Sequence, residues 1–184
     1  EQKSLDRGVR IMGLVDAPFE VGGLTFRTSA SVGVAVFHPD SASAEEVLRQ
    51  ADLAMHAAKG EGGRRARLFA PAMQAAVEEK LALLGDLKRA LEAHELGIVF
   101  QPQVEADGRI FGAEALLRWT HPARGAVPPA VFVTLAEMHG LGAQVDAYVL
   151  DGVGARLAAW QRHPVLSRLE LAVNVGAGQL GSDS

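Results

Sequence analysis

Hydrophobic and polar residues change their spacing several times along the chain, and each change marks an element. Between Asp16 and Phe37 the period is that of strands: Phe19 and Val21, then Leu24 and Phe26, flank Gly22-Gly23, a pair that accepts the positive φ of a tight hairpin turn. From Ser31 onward, small or polar residues alternate with Val32, Val34 and Val36, which sets the valines on one face of a half-buried strand ended by Pro39-Asp40. Ser43 and Glu46 then spell an S-x-x-E capping box, in which each side chain satisfies an orphan N–H of a helix's first turn. Behind it Val47, Leu48, Ala51, Ala54, Met55 and Ala58 recur at helical spacing, with Gly60 as the C-cap.

After a polar turn from Gly60 to Arg65, a short run through Leu68-Phe69 returns to the sheet before Pro71. Ala72 to His94 reads as helix, with Met73, Val77, Leu84, Leu87 and Leu91 on one side, and Gly85-Asp86 predicts a break within it. Two strand-like runs, Ile98-Val99-Phe100 and Ile110 to Trp119, lie either side of Asp107-Gly108, a hairpin signal that makes them antiparallel neighbours. Pro128-Pro129 launches a helix ending at Gly140; Val145, Val149, Val153, Leu157 and Trp160 stripe a second, closed by His163-Pro164; and Leu169 to Val175 alternates again. Strand, strand, helices, strand predicts an α/β fold with parallel segments after an antiparallel start.

Composition narrows the function classes. The 184 residues are 48% hydrophobic, enough for a real core in one domain or two small ones. Eighteen Lys plus Arg against 22 Asp plus Glu leave a formal charge of -4, so no global positive field exists to hold a nucleic-acid polymer. With no cysteine, disulfide scaffolds, thiol nucleophiles and thiolate metal sites are excluded. No apolar run approaches the ~18 residues of a membrane span, and the first residues lack the apolar core of a signal peptide. The chain opens on Glu1 and stops at Ser184 just after a strand-like run, so the expectation is that either end was cut from something longer.

Candidate chemistry lies on the strands. Alternation puts Gly112, Glu114, Leu116 and Arg118 on one face of the Ile110 to Trp119 strand, and Phe111, Ala113, Ala115, Leu117 and Trp119 on the other. Glu114 and Arg118 therefore point the same way, ~13 Å apart at the rise of a strand. That is too far for an ion pair, but suits a metal and a phosphate of one ligand. The same parity separates Asn174 from Leu171, Val173 and Val175, and gives Gln101 and Gln103 a common face. Polar side chains emerging from strands whose other faces are apolar fit a barrel interior with a site near the strand ends; on pattern alone, a solvent-facing edge strand is the commoner case. The six His residues show no metal-type spacing, Gly152-Val153-Gly154 lies inside a helical stripe rather than after a strand, and Arg64, Arg65 and Arg67 form either a phosphate contact or a solvated turn.

The residues also carry a family resemblance. Phe100-Gln101-Pro102, then Gly112-Ala113-Glu114-Ala115-Leu116-Leu117-Arg118-Trp119, His121-Pro122, Gly125, Val127-Pro128-Pro129, Phe132, Ala136-Glu137, Gly140-Leu141 and Val173-Asn174-Val175 closely resemble the opening of an EAL domain. Ser31-Val32-Gly33-Val34-Ala35 and the helix from Ala51-Asp52 to Ala58-Lys59 resemble the C-terminal part of a GGDEF domain. The resemblance implies an α/β chain in three parts. Residues 1–70 would be the end of a GGDEF cyclase-like α/β sandwich, 71–84 a helical linker, and 85–184 the first part of an EAL (β/α)8 barrel with an antiparallel first strand.

It further implies cyclic di-GMP signalling in bacteria, with hydrolysis of cyclic di-GMP to linear pGpG assisted by Mg²⁺ or Mn²⁺. Glu114 would be the catalytic, metal-ligating carboxylate, Asn174 a second metal ligand, Arg118 a ligand of the dinucleotide phosphate and Gln101 a substrate contact. Lys59 would meet a nucleotide phosphate, GTP included, in the GGDEF half, although a last-turn lysine also answers the helix dipole. A homodimer is compatible with the family. The implied compartment is the cytoplasm or the cytoplasmic face of the inner membrane, with membrane attachment only through upstream regions.

Departures qualify these expectations. The family's further carboxylates and catalytic Lys lie beyond these residues, so the 184 residues alone are expected to be inactive. The GGDEF signature loop is absent, Gly63 stands for an Arg, His56 for a Tyr, and Gly176 and Gly178 for Ser and Arg. The alternatives are a degenerate receptor that binds cyclic di-GMP or GTP without turnover and regulates a partner, or a helix-linked interaction module.

Overall fold

The structure is a computed structural model that describes residues 1–37 and 43–176. Its elements run α1 (Gln2–Val15), β1 (Phe19–Val21), β2 (Leu24–Phe26), β3 (Val32–Val34), α2 (Ala44–Gly60), β4 (Ala66–Leu68), α3 (Pro71–Glu92), β5 (Gly97–Val104), β6 (Ile110–His121), β7 (Gly125–Val127), α4 (Pro129–Met138), α5 (Gly142–Trp160), a 3₁₀ turn at Leu166–Arg168 and β8 (Glu170–Val173). Two compact units, Glu1–Glu79 and Lys80–Ser184, divide the chain within α3.

In the first unit, β1 and β2 form the expected antiparallel hairpin across Gly22 and Gly23, whose φ values of 59° and 80° are open to glycine at no steric cost. β3 pairs in parallel with β4, the return strand foreseen at Leu68. Pro39-Asp40, the expected end of the valine strand, lies outside the described residues. Helix α2 packs so closely on β3 that a Cβ added to Gly33 would sit 1.8 Å from the Ala51 carbonyl oxygen. Only glycine fits there.

Several local expectations are corrected. Ser43 caps α2 by accepting the Glu46 N–H at 3.2 Å, but the Glu46 carboxylate is engaged by Arg49 and Gln50, three and four residues further along the helix. Leu48 is 71% exposed and leaves the buried stripe, which narrows to Ala54 and Ala58. Gly60 belongs to the last turn of α2; the positive φ that ends the helix falls at Gly62 and Gly63, with the Gly63 N–H returning to the Ala58 carbonyl. Gly85-Asp86 makes no break, because the intrahelical pattern runs on through α3. Helix α1, for which the pattern offers no clear signal, lacks a side-chain cap at Glu1 and buries Gly8 against Val34 and Ala66.

The second unit holds the larger core. β5 and β6 pair antiparallel, β7 adds to the end of β6, and β8 pairs with β6 in parallel on its other edge. Ala115, Leu117 and Trp119 point from β6 into a core shared with α3, α4 and α5, where Leu87, Phe132 and Trp119 are almost wholly enclosed, and Ala113 on the same face is buried too. Gly152 lets α5 approach β5, since a Cβ there would meet the Ile98 Cδ1 at 2.4 Å. The helix pair and the parallel strand are as the pattern anticipates; β7 is additional.

Two glycines make opposite predictions. Gly33→Ala is expected to destabilise the first unit by about 3 kcal/mol through overpacking, whereas Gly85→Ala, with open space around it, is expected to stabilise α3 by about 0.5–1 kcal/mol; urea denaturation reads both. The Glu61 carboxylate accepts a two-pronged contact from Arg67 and a further bond from Arg65, and the Arg67 contact foremost holds it below the usual carboxylate range. Its contribution is therefore present above about pH 4.3 and is lost as pH falls through the lowered folded value. The gap in thermal midpoint between wild type and Glu61→Gln is expected to close on acidification.

Candidate functional site

Burying the Ala113, Ala115, Leu117 and Trp119 face of β6 forces the alternate residues to the opposite side. There Glu114 is partly buried and Arg118 exposed. In the antiparallel register Gln101 sits directly across from Glu114, and such partners share a face with Cβ atoms ~5 Å apart. On the other edge, Glu114 pairs with Ala172 of β8, so Asn174, two residues on, points to the same side. The Asn174 Nδ2 donates a hydrogen bond of 2.7 Å to the Glu114 Oε1. Gln101, Glu114 and Asn174, separated by up to 73 positions in sequence, are thus brought together by one sheet.

Arg118 lies further along β6 and donates through Nη1 to its neighbour's carbonyl, Leu117 O, at 2.9 Å. It borders a cavity of about 480 Å³ with Pro129, Thr134 and Glu137 of α4, Asp146 and Val149 of α5, and Asn174. Asn174 is the joint between the Glu114 cluster and this cavity, since it bonds to the first and lines the second. Lys59 is exposed in the last turn of α2, in the first unit. Arg65 and Arg67 are taken up by Glu61, and Arg64 reaches Asp16 at 3.8 Å, which favours the solvated-turn reading of that cluster.

Thr134 and Asp146 were not singled out by the sequence, and Glu137 entered only as part of a motif. Helical spacing hides them, because a polar residue one turn from a helix end looks like solvent-facing surface. A Cβ at Gly176 would lie 3.2 Å from the Asp146 Oδ2 and 3.7 Å from the Glu137 Oε1. The glycine there admits two carboxylates close to the chain leaving Asn174.

The donor chemistry suits a hard cation in part. With Nδ2 directed at Glu114, the Asn174 Oδ1 remains an oxygen donor beside a carboxylate, the ligand type that Mg²⁺ and Mn²⁺ prefer. Among the described residues no group of three or more His, Cys, Asp or Glu could hold a metal ion. Two neighbouring oxygen donors, one from each side chain, fall short of a full coordination shell for such a cation.

The EAL domain family model matches residues 84–184, more than half of the chain. The chain belongs to the EAL family. The diguanylate cyclase GGDEF domain model matches residues 1–65, so a GGDEF segment and an EAL segment stand in tandem. A bifunctional diguanylate cyclase/cyclic di-GMP phosphodiesterase of Pseudomonas aeruginosa, MucR, is 37% identical over 152 residues, covering 82% of this chain and 22% of that protein. The cyclic di-GMP phosphodiesterase PdeR of Escherichia coli is 36% identical over 176 residues, covering 95% of this chain and 26% of that protein. The chain thus spans about a quarter of the length of these relatives.

Among solved structures, the MucR phosphodiesterase in complex with c-di-GMP matches with a TM-score of 0.52 and 39% identity over 55% of this chain and 41% of that one. The FimX EAL domain of Xanthomonas citri, in complex with c-diGMP, matches with a TM-score of 0.51 at 22% identity over 60% of this chain and 42% of that one, a likeness of fold. The second unit is accordingly the opening part of an EAL barrel. No helix among the described residues is long and apolar enough to cross a membrane.

The Asn174–Glu114 contact predicts measurable coupling. In a double-mutant cycle of Glu114→Gln and Asn174→Ala, read by denaturation without added metal, about 0.5–1 kcal/mol of interaction energy is expected for this partly exposed charge-assisted pair; additivity would mean the two side chains do not meet in solution.

Proposed function

We propose that the protein of which this chain forms part hydrolyses cyclic di-GMP to linear pGpG in its EAL domain. The domains are residues 1–70, the end of the GGDEF unit, 71–84, a helical linker, and 85–184, the EAL opening. The observation that carries the reading is the meeting of Glu114 and Asn174 beside a cavity bordered by Arg118. The names of the relatives support the substrate.

In this reading Glu114 and the Asn174 Oδ1 hold Mg²⁺ or Mn²⁺, which when bound supplies charge neutralisation at the phosphodiester and a nucleophilic water. Gln101, across the ladder from Glu114, contributes a polar contact to the dinucleotide. The Arg118 guanidinium is planar and presents paired N–H donors, the geometry that a phosphate accepts. Released from Leu117 O, its Nη1 is free to serve that role. The carboxylates of Glu137 and Asp146 offer acceptors to the N–H edge of a guanine base. In the reaction a water oxygen joins phosphorus, one ribose P–O bond breaks, and the opened dinucleotide keeps the phosphate. Lys59 is the candidate phosphate contact in the GGDEF half, with GTP as the ligand class.

One observation favours a second reading, a receptor that binds cyclic di-GMP without turnover: Gly176, two residues past Asn174, stands where the resemblance implies a Ser. The two readings part on product formation. The full-length protein with Mn²⁺ is expected to yield linear pGpG by chromatography. Glu114→Ala is expected to abolish the product, and Arg118→Ala to raise KM between about ten- and a hundredfold, the ~1.5–3 kcal/mol of a hydrogen bond to a charged group. Binding with no product from wild type would instead establish the receptor, and unchanged kinetics in both variants would remove the site. The 184 residues alone are expected to show no appreciable turnover.

A further inference from the structure

The end of β6 carries a polar network that the proposed reaction does not use. His121, the last residue of the strand, is only 13% exposed, and its ring Nδ1 accepts the N–H groups of Ala123 at 3.1 Å and Arg124 at 3.2 Å. A ring nitrogen that accepts two N–H groups carries no proton, so the ring proton must reside on Nε2. From there it is donated to the Asp86 Oδ2 on α3 at 3.0 Å, while the other Asp86 oxygen is bonded to Arg89. Behind this pair the Trp119 indole packs edge-on against both His121 and Phe132.

This one imidazole fixes two things at once. It closes the turn between β6 and β7, after which Pro128-Pro129 starts α4, the helix that supplies Thr134 and Glu137 to the cavity. It also ties the strand end, three residues past Arg118, to α3, the helix that continues from the first unit into the second. We infer that Asp86 and His121 are a positioning pair: through them α3 sets where Arg118 and the start of α4 stand, and hence how tightly the cavity holds the dinucleotide. The inference rests on the functional reading above, and it deepens that reading by naming α3 as the element through which the site is tuned. A displacement of ~1 Å in a positioning group is enough to cost two orders of magnitude.

The test compares Asp86→Ala, Asp86→Asn and Arg89→Ala in the full-length protein. Titration with cyclic di-GMP is expected to show a Kd raised at least tenfold in Asp86→Ala. Asp86→Asn, whose amide oxygen still accepts from Nε2, and Arg89→Ala, which leaves the His121 bond intact, should stay within about threefold of wild type. Mn²⁺ affinity, set by Glu114 and Asn174, should move less than twofold in all three. Hydrogen–deuterium exchange without any ligand should rise across residues 119–134 in Asp86→Ala and not in Asp86→Asn.

Unchanged exchange and unchanged Kd in Asp86→Ala would overturn the pair's role. So would equal losses of Mn²⁺ and dinucleotide binding with a lowered melting temperature, since that is merely structural damage. A wild type that binds no cyclic di-GMP would remove the functional reading, and the exchange arm would still decide whether Asp86 holds the strand end.

Discussion

The parallel pairing of β8 with β6 is the constraint on which the site depends. Each strand alternates strictly, so one residue of slip would exchange the buried and exposed sets. Burial of Ala115, Leu117 and Trp119 in a core shared with three helices prevents that slip on β6, and the pairing of Glu114 with Ala172 carries the same parity to β8. Asn174 then has one direction in which to point. Its hydrogen bond to Glu114 follows from hydrophobic burial on the far side of the sheet, which at ~1.5–3 kcal/mol for each large enclosed side chain outweighs one hydrogen bond when summed over the core.

Small residues make that arrangement possible. Ala113 and Ala115 keep the centre of β6 low, and Gly152 brings α5 down onto Ile98 of β5. Larger side chains sit at the ends, where Trp119 and Phe132 close the core. Arg118 thereby lies toward the C-terminal end of β6 and Asn174 just past the end of β8, with Glu114 nearer the middle of β6.

The strands, and the faces on which the candidate residues lie, were legible because period-two alternation is a local property. Glu114, Arg118 and Asn174 could be assigned to a face without knowing which strands meet. Helix ends were less legible. Gly60 looked like a terminus and Gly85 like a break, yet glycine marks a cap only where the backbone needs positive φ, and here that need falls on Gly62 and Gly63. Leu48 looked buried because its spacing fits the stripe, but whether a neighbour covers it is a tertiary matter. Contacts between distant elements left no trace in the pattern: Asp86 with His121, or Asp146 with the chain at Gly176. The two His-Pro turns illustrate the same gap, since in each the imidazole Nδ1 caps following N–H groups, a use that spacing alone does not distinguish from solvent exposure.

The central claim is that Glu114 and Asn174 jointly grip a hard cation. Paramagnetic broadening of assigned side-chain amide resonances during a Mn²⁺ titration tests it most directly. The Asn174 amide, and Gln101 across the ladder, are expected to broaden first and together, with the effect lost in Glu114→Ala. A sharp Asn174 resonance while amides near other carboxylates broaden would contradict the account.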